Sequence, residues 1–374
     1  MTRRSGLFAH LRPCTAPPSR DLRARDLQAR NLQARGARRL AVSALLGAAP
    51  LLAAAPAMAV PAGDPNSIWT LQVENDAVST LRGTSDQYYT SGIRAGWVSP
   101  TDALPAPLAI LGQRVWGDGV QRISITLNQS IFTPRATQLV VPSPHDHPYE
   151  GQLLANFGLI HDTDTRRDFA AISLGVIGPS AAGENVQNGF HSLIGDTPNR
   201  GWGSQVPDEA AFNVLVQRTY RVPVAGFSAP YAGGIGVDVL PSGKLAGGDV
   251  RTFAQLGAIL RIGQGLDSDF GPSTSQYGQN GTDAYTATRP FAWYGFAGVD
   301  GQAVAHDASL QGDLLRQYSP HVSKKWDVGE FSAGVAVMFR GLRVTYTQTF
   351  QTVQFNGQKG GLFNFGSLAV STKF

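Results

Sequence analysis

The chain has 374 residues, enough for one large domain or two small ones. Its formal charge is +4, but residues 1–39 carry ten arginines against Asp21 and Asp26, so the remainder holds 21 basic against 25 acidic side chains. That mildly acidic balance gives no basis for nucleic-acid binding, and the only cysteine, Cys14, leaves the rest of the chain without a disulfide or a thiolate metal site.

The basic stretch contains a short repeat, RDLRARDLQARNLQAR, and is followed by an apolar run from Leu40 that ends in Ala57-Met58-Ala59. A basic segment, an apolar segment and a small-x-small site together predict a secretory signal peptide over residues 1–59. A membrane anchor fits less well, because the run is short of bulky residues and interrupted by Pro50 and Pro56. The expected mature chain, residues 60–374, is a single domain. It has no run of eighteen apolar residues, yet it is rich in glycine and aromatics and low in charge. Those features fit a transmembrane β-barrel, whose alternating strands escape hydropathy scans.

Alternation recurs along the chain. Ile123, Ile125 and Leu127 alternate with Ser124, Thr126 and Asn128; Phe331, Ala333, Val335, Val337 and Phe339 share one face, as do Leu342, Val344 and Tyr346. A soluble sandwich gives the same pattern. The chain end separates the two, because Leu368, Val370, Thr372 and Phe374 share a face and Phe374 is terminal. A terminal aromatic on an alternating strand resembles the signal read by the outer-membrane barrel assembly machinery, an expected partner. The fold class is therefore all-β, a twelve-stranded antiparallel transmembrane barrel. Strands are expected at 68–77, 88–99, 121–130, 150–160, 168–177, 210–221, 229–240, 251–263, 290–303, 326–339, 342–354 and 364–374. An even count puts both termini on one side, expected to be periplasmic, with a tight turn at Arg340-Gly341. The outer loops then fall at 78–87, 131–149, 178–209, 241–250, 304–325 and 355–363. Periplasmic connections include 100–120, which can hold a short helix, and the polar, glycine-rich 264–289. By this count Asn75 and Asp76 end strand one, Thr90 lies near the outer end of strand two, and His191 belongs to the third outer loop. All four converge at one end of the barrel.

The stretch GVIGPSAAGENVQNGFHSLIG, residues 175–195, starts as the end of a strand and breaks at Gly178-Pro179. A short helical run from Glu184 to His191 puts Gln187 and His191 four apart, on one face. A histidine held beside an amide can act as a general base, since imidazole titrates near neutral pH. It can equally be a loop residue that only bonds its surroundings. Ester hydrolysis needs a nucleophile, a base and an oxyanion stabiliser. No G-x-S-x-G elbow is present, but Ser91 and Ser192 leave a serine nucleophile open beside a water activated by His191. A hard cation such as Ca²⁺ wants oxygen ligands, and Asp76, Thr90 and nearby carbonyls are of that type. Asn75-Asp76 also suits a plain turn, and Thr90 a plain strand position.

Four ordered motifs carry a resemblance. They are Glu74-Asn75-Asp76, Tyr89-Thr90-Ser91-Gly92, Ile131-Phe132-Thr133-Pro134 with His147-Pro148-Tyr149, and the 175–195 stretch with Gly201-Trp202. Together they resemble the LpxR family of outer-membrane lipid A 3'-O-deacylases, over about Ile68 to Phe374. The resemblance implies Ca²⁺-dependent release of the 3'-acyloxyacyl group of lipid A or lipopolysaccharide, at a site facing the cell exterior among outer-membrane lipids. It implies His191 as base, Asn75, Asp76 and Thr90 as the metal and oxyanion site, and Gln187 as support. One departure concerns the loop after Pro134, where Arg135 is the only basic residue and sits early for an oxyanion donor. The neighbouring His145, Asp146 and His147 look like a metal cluster, but more often are plain loop residues. A phospholipase A-type hydrolase and a non-enzymatic porin or structural barrel are the alternatives.

Overall fold

A computed structural model describes residues 63–75, 79, 87–227, 234–272, 283–312 and 319–374. The expected leader, residues 1–59, and Asp76 lie outside the described residues. Alternation sets the architecture, with the polar side turned inward. In β1 (Ile68–Asn75), Trp69, Leu71 and Val73 are exposed while Thr70, Gln72 and Glu74 are buried. Apolar-out and polar-in is the pattern of strands whose outer face meets lipid.

The other strands are β2 (Tyr88–Val98), β3 (Val120–Thr133), β4 (Glu150–Asp162), β5 (Arg166–Ile177), β6 (Glu209–Tyr220), β7 (Val222–Phe227), β8 (Ile235–Gly248), β9 (Arg251–Gln264), β10 (Phe291–Asp307), β11 (Asp327–Phe339), β12 (Leu342–Gln351) and β13 (Phe363–Lys373). Sequence neighbours pair antiparallel, β1 pairs with β13, and β6 pairs with β8. β6 and β7 are two halves of one barrel strand broken at Arg221, so the thirteen segments form a closed barrel of twelve strands. Closure pairs the wall strands on both sides, as lipid requires, while the short β7 extends past the end of β5 and pairs only with β8.

Several strand bounds differ from expectation: β7 fills part of the expected connection after residue 221, β3 and β10 run on into expected outer loops, and the longest extension is at β8. β8 runs to Gly248, through the expected outer loop 241–250. Pro241 and three glycines suggest a loop there. In the barrel, β7 pairs with β8 as far as Val239 and β6 takes over from Ser242. Pro241 thus sits opposite the break, where its missing N–H costs no ladder bond to that neighbour.

Both chain-terminal strand ends, Ile68 and Lys373, pair at one end of the barrel, called here the terminal end. Helix α1 (Ala106–Trp116) lies there, as the connection 100–120 suggested. The described parts of 264–289 are more than a connection, because they fold back into the lumen. Asp269 is fully buried and pairs with Arg261 at 2.6 Å and Arg343 at 3.0 Å. Asp283 pairs with Arg94, and Tyr294 donates to Asp269 at 2.9 Å. Burial alone would raise the Asp269 carboxyl, but Arg261 and Arg343 bring it below its ordinary value. At the opposite, loop end, the lumen is filled by Tyr88, Tyr89, Phe132, Phe355, Phe363 and Phe365. Helices α2 (Gly183–Ile194) and α3 (Ala308–Gln311) belong to that end.

Candidate active site

One outward-facing row crosses the loop end of the wall. Asn75 pairs with Ser91, Ser91 with Ile131, and Ile131 with Gly151. In the row below it, Val73 and Ile93 are exposed and apolar, and Gln129 follows them on β3. Thr90 sits next to this row in a β-bulge of β2. A bulge adds one residue without a partner across the ladder, and here it turns Thr90 to meet Thr133, with 2.7 Å between the hydroxyls. Thr90 and Thr133 are both buried. The preceding Tyr89 points into the lumen and donates to Glu74 at 2.7 Å.

Helix α2 lies against the outside of β3 and β4. The chain leaves β5 at Gly178, whose φ of 96° suits glycine. Gln129 of β3 then donates to the Ala181 carbonyl at 2.6 Å. Gly183 rests on Gly151, and a Cβ on Gly183 would stand 3.1 Å from Gly151 Cα and 2.8 Å from the Trp202 ring. Two facing glycines therefore let the helix lie directly on the wall. Trp202 is buried with Ile131 and Tyr149, and Val186 packs on this group.

The buried stripe of α2 is Gly183, Gln187 and His191, one residue per turn. Trp202 Nε1–H donates to Gln187 Oε1 at 2.9 Å. Gln187 Nε2 is buried and has no hydrogen-bond partner among the described residues. His191 Nδ1 lies 2.9 Å from the Thr197 carbonyl. A carbonyl only accepts, so Nδ1 carries a proton, and in the neutral ring the lone pair is on Nε2. The loop that supplies this carbonyl is clipped to the helix: Asn199 N–H donates to Asn188 Oδ1 at 2.8 Å, and Asn188 Nδ2 donates to the Asn199 carbonyl at 3.1 Å.

A family model described as "Outer membrane protein LpxR" matches residues 40–374. The chain belongs to the LpxR family. Among solved structures it is similar to LpxR from Salmonella typhimurium, with 19% identity and a TM-score of 0.66, over 82% of this chain and 100% of that one. At that identity the likeness establishes the fold. The β domain of the Bordetella autotransporter BrkA aligns with a TM-score of 0.38 and 10% identity, over 84% of this chain and 100% of that one. No curated protein matches the chain.

An LpxR-family barrel belongs in the outer membrane, as the alternation suggested. Asn75 and Thr90 share the loop-end rim of β1 and β2, and Gln187 and His191 share the buried face of α2 on the adjoining strands. Asp76, one residue beyond Asn75, is outside the described residues. No group of three or more His, Cys, Asp or Glu residues that could hold a metal occurs among the described residues. The donors the described rim does offer, the Asn75 side-chain carbonyl and the Thr90 and Thr133 hydroxyls, are oxygens, which suits Ca²⁺ over softer metals. Ser192 is exposed on another face of α2, while Ser91 lies in the outward row.

The loop histidines and Arg135 are not gathered into a metal cluster. His147 is buried, stacked on Phe132 with ring centroids 5.6 Å apart, and its Nδ1 lies 2.7 Å from the Pro148 carbonyl. Asp146 accepts from the backbone N–H groups of Arg135 and His147. Burial pushes the His147 imidazole below its ordinary value, so it stays neutral. Three contributors escaped the sequence reading: Thr133, Trp202 and the Thr197 carbonyl. Thr133 and Trp202 lie inside quoted motifs. Their roles depend on the bulge and on the loop folding back.

Proposed function

We propose that the protein is a Ca²⁺-dependent lipid A 3'-O-deacylase acting at the outer leaflet, with its loop end toward the cell exterior. Membership of the LpxR family supports an outer-membrane enzyme that modifies lipid A. The observation that carries the hydrolytic reading is His191, buried on a wall-facing helix with Nδ1 committed to the Thr197 carbonyl. That bond leaves Nε2 as the basic nitrogen of the neutral ring. His191 takes a proton from water as the oxygen attacks the acyl carbonyl, and returns it to the lipid A ester oxygen as the acyl C–O bond breaks, leaving a free hydroxyl on lipid A and a fatty acid. The buried Gln187 Nε2 donates to an oxygen of the bound ester, while Trp202 fixes the amide's orientation. Asn75, Asp76 and Thr90 hold Ca²⁺, which when bound polarises the acyl carbonyl.

The test is a mass spectrum of lipid A after incubation with purified protein. Loss of the 3'-acyloxyacyl group with Ca²⁺, and no loss with excess chelator, is expected. Full release in chelator removes the metal from the mechanism. Hydrolysis of added glycerophospholipid with lipid A untouched replaces the substrate.

A further inference from the structure

An amphipathic helix on a protein surface normally buries its apolar residues in the protein and leaves its polar ones outside. Helix α2 does the reverse. Its buried stripe includes Gln187 and His191, while Phe190, Leu193 and Ile194 are 51%, 82% and 58% exposed. At 100° per residue, Val186, Phe190 and Leu193 form one flank of the helix, Glu184, Asn185, Asn188 and Ser192 form the other, and Ile194 ends the helix in line with the wall-facing stripe. The wall-facing stripe runs beside the apolar flank. The helix therefore presents its sides, apolar on one and polar on the other, along the barrel surface.

That surface is the lipid-facing wall. Outward residues of the neighbouring strands, Leu127 on β3, Phe157 on β4 and Leu174 on β5, are about half exposed and apolar. The α2 flank extends the same apolar surface outward from the wall. An exposed apolar flank attached to a lipid-facing wall, backed by a polar flank, is the disposition of a helix lying in a membrane interface.

We infer that the apolar flank of α2 is embedded in the acyl chains of the leaflet at the loop end, and that lipid reaches His191 sideways from that leaflet. The occupant is lipid acyl chain. The embedding stands on the barrel's membrane placement alone, while the route to His191 rests on the proposed hydrolase reading. Burial of such a flank by about 5–10 Å into the headgroup–acyl boundary is typical.

Site-specific depth measurement tests this. On a Cys14→Ser background, Leu193→Cys, Phe190→Cys, Ser192→Cys and Glu184→Cys are each labelled with bimane. The proteins are reconstituted into phosphatidylcholine vesicles with plain or brominated acyl chains. Quenching by brominated chains at positions 190 and 193 should exceed that at 184 and 192 at least twofold. Equal quenching at all four positions, or none at 190 and 193, overturns the embedding. Barrels that keep their heat-modifiable migration are compared, and two positions per flank guard against one misfolded variant. Leu193→Asp should then lower hydrolysis of vesicle-embedded lipid A at least tenfold and leave detergent-dispersed lipid A unaffected. Equal rates on vesicles overturn the sideways route. Strong quenching at 190 and 193 without any hydrolysis by the parent protein leaves the embedding standing and removes the hydrolase reading.

Discussion

The two ends of the lumen are closed by opposite means. At the terminal end, a segment between β9 and β10 is held by carboxylate–guanidinium pairs: Asp269 with Arg261 and Arg343, and Asp283 with Arg94. At the loop end, six tyrosine and phenylalanine rings pack together, joined by the neutral His147. A buried ion pair needs both partners, and losing one leaves an uncompensated charge. An aromatic cluster has no charge to strand, and its large buried rings with specific geometry make a stiff floor. The candidate site stands on that floor, on the outer face of the same strands. Adjacent residues show the division: Tyr89 packs into the floor and Thr90 belongs to the site. Stability at the terminal end and chemistry at the loop end should thus be separable by mutation.

The sharpest separation is His191→Ala. Its deacylation rate should fall by about 10² to 10⁴, the usual worth of a general base, with unchanged heat-modifiable migration. A near-normal rate removes His191 and turns attention to Ser91. The converse is Asp269→Ala, which removes the carboxylate shared by Arg261 and Arg343 and leaves Arg261 its pair with Asp238 and Arg343 the more distant Asp283. It should lower stability by up to about 3 kcal/mol, the low end for a broken buried pair because both arginines keep a carboxylate, read as an earlier heat-modifiability midpoint, while the rate per folded molecule holds. Loss of rate without loss of stability would show that the two ends are coupled.

The smallest effect concerns pH. His147 is held neutral by burial, its folded value lying below the ordinary imidazole value. The unfolded chain takes up the proton first as pH falls. Stability is therefore fully present above about pH 6.5 and declines below it, by up to about 1.4 kcal/mol per pH unit. His147→Phe should lose less stability between pH 7.5 and pH 5 than the parent protein. Equal losses would place the acid sensitivity elsewhere.

Much of the fold was legible because a barrel in lipid repeats one rule on every strand. Where the reading failed, a neighbour decided the outcome. Pro241 looks like a loop residue until the break at Arg221 in the adjoining strand is known. The polar, glycine-rich 264–289 looks like a plain connection, because the partner of Asp283 is Arg94, 189 residues away. In the site, the i, i+4 spacing of Gln187 and His191 was visible, and so was the helix. Nothing local says that Thr197 offers its carbonyl to His191 or that Trp202 donates to Gln187. Those bonds exist only after the loop has folded back on α2.

The seam between β1 and β13 bears on assembly. Every other ladder joins strands that are neighbours in sequence, apart from the β6–β8 pairing around the broken strand. Such pairings have far shorter loops to close than the seam has and can form in turn as the chain is delivered. The seam joins residues 68–75 to 366–373 and must wait for the final strand. Asn75 meets Gly366 only across it. A chain that has not closed can carry a folded α2 and an oriented His191, but its Asn75 still lacks its β13 neighbour. Completion of the ring is thus also completion of the rim on which the site is built, and a half-assembled barrel lacks a full site.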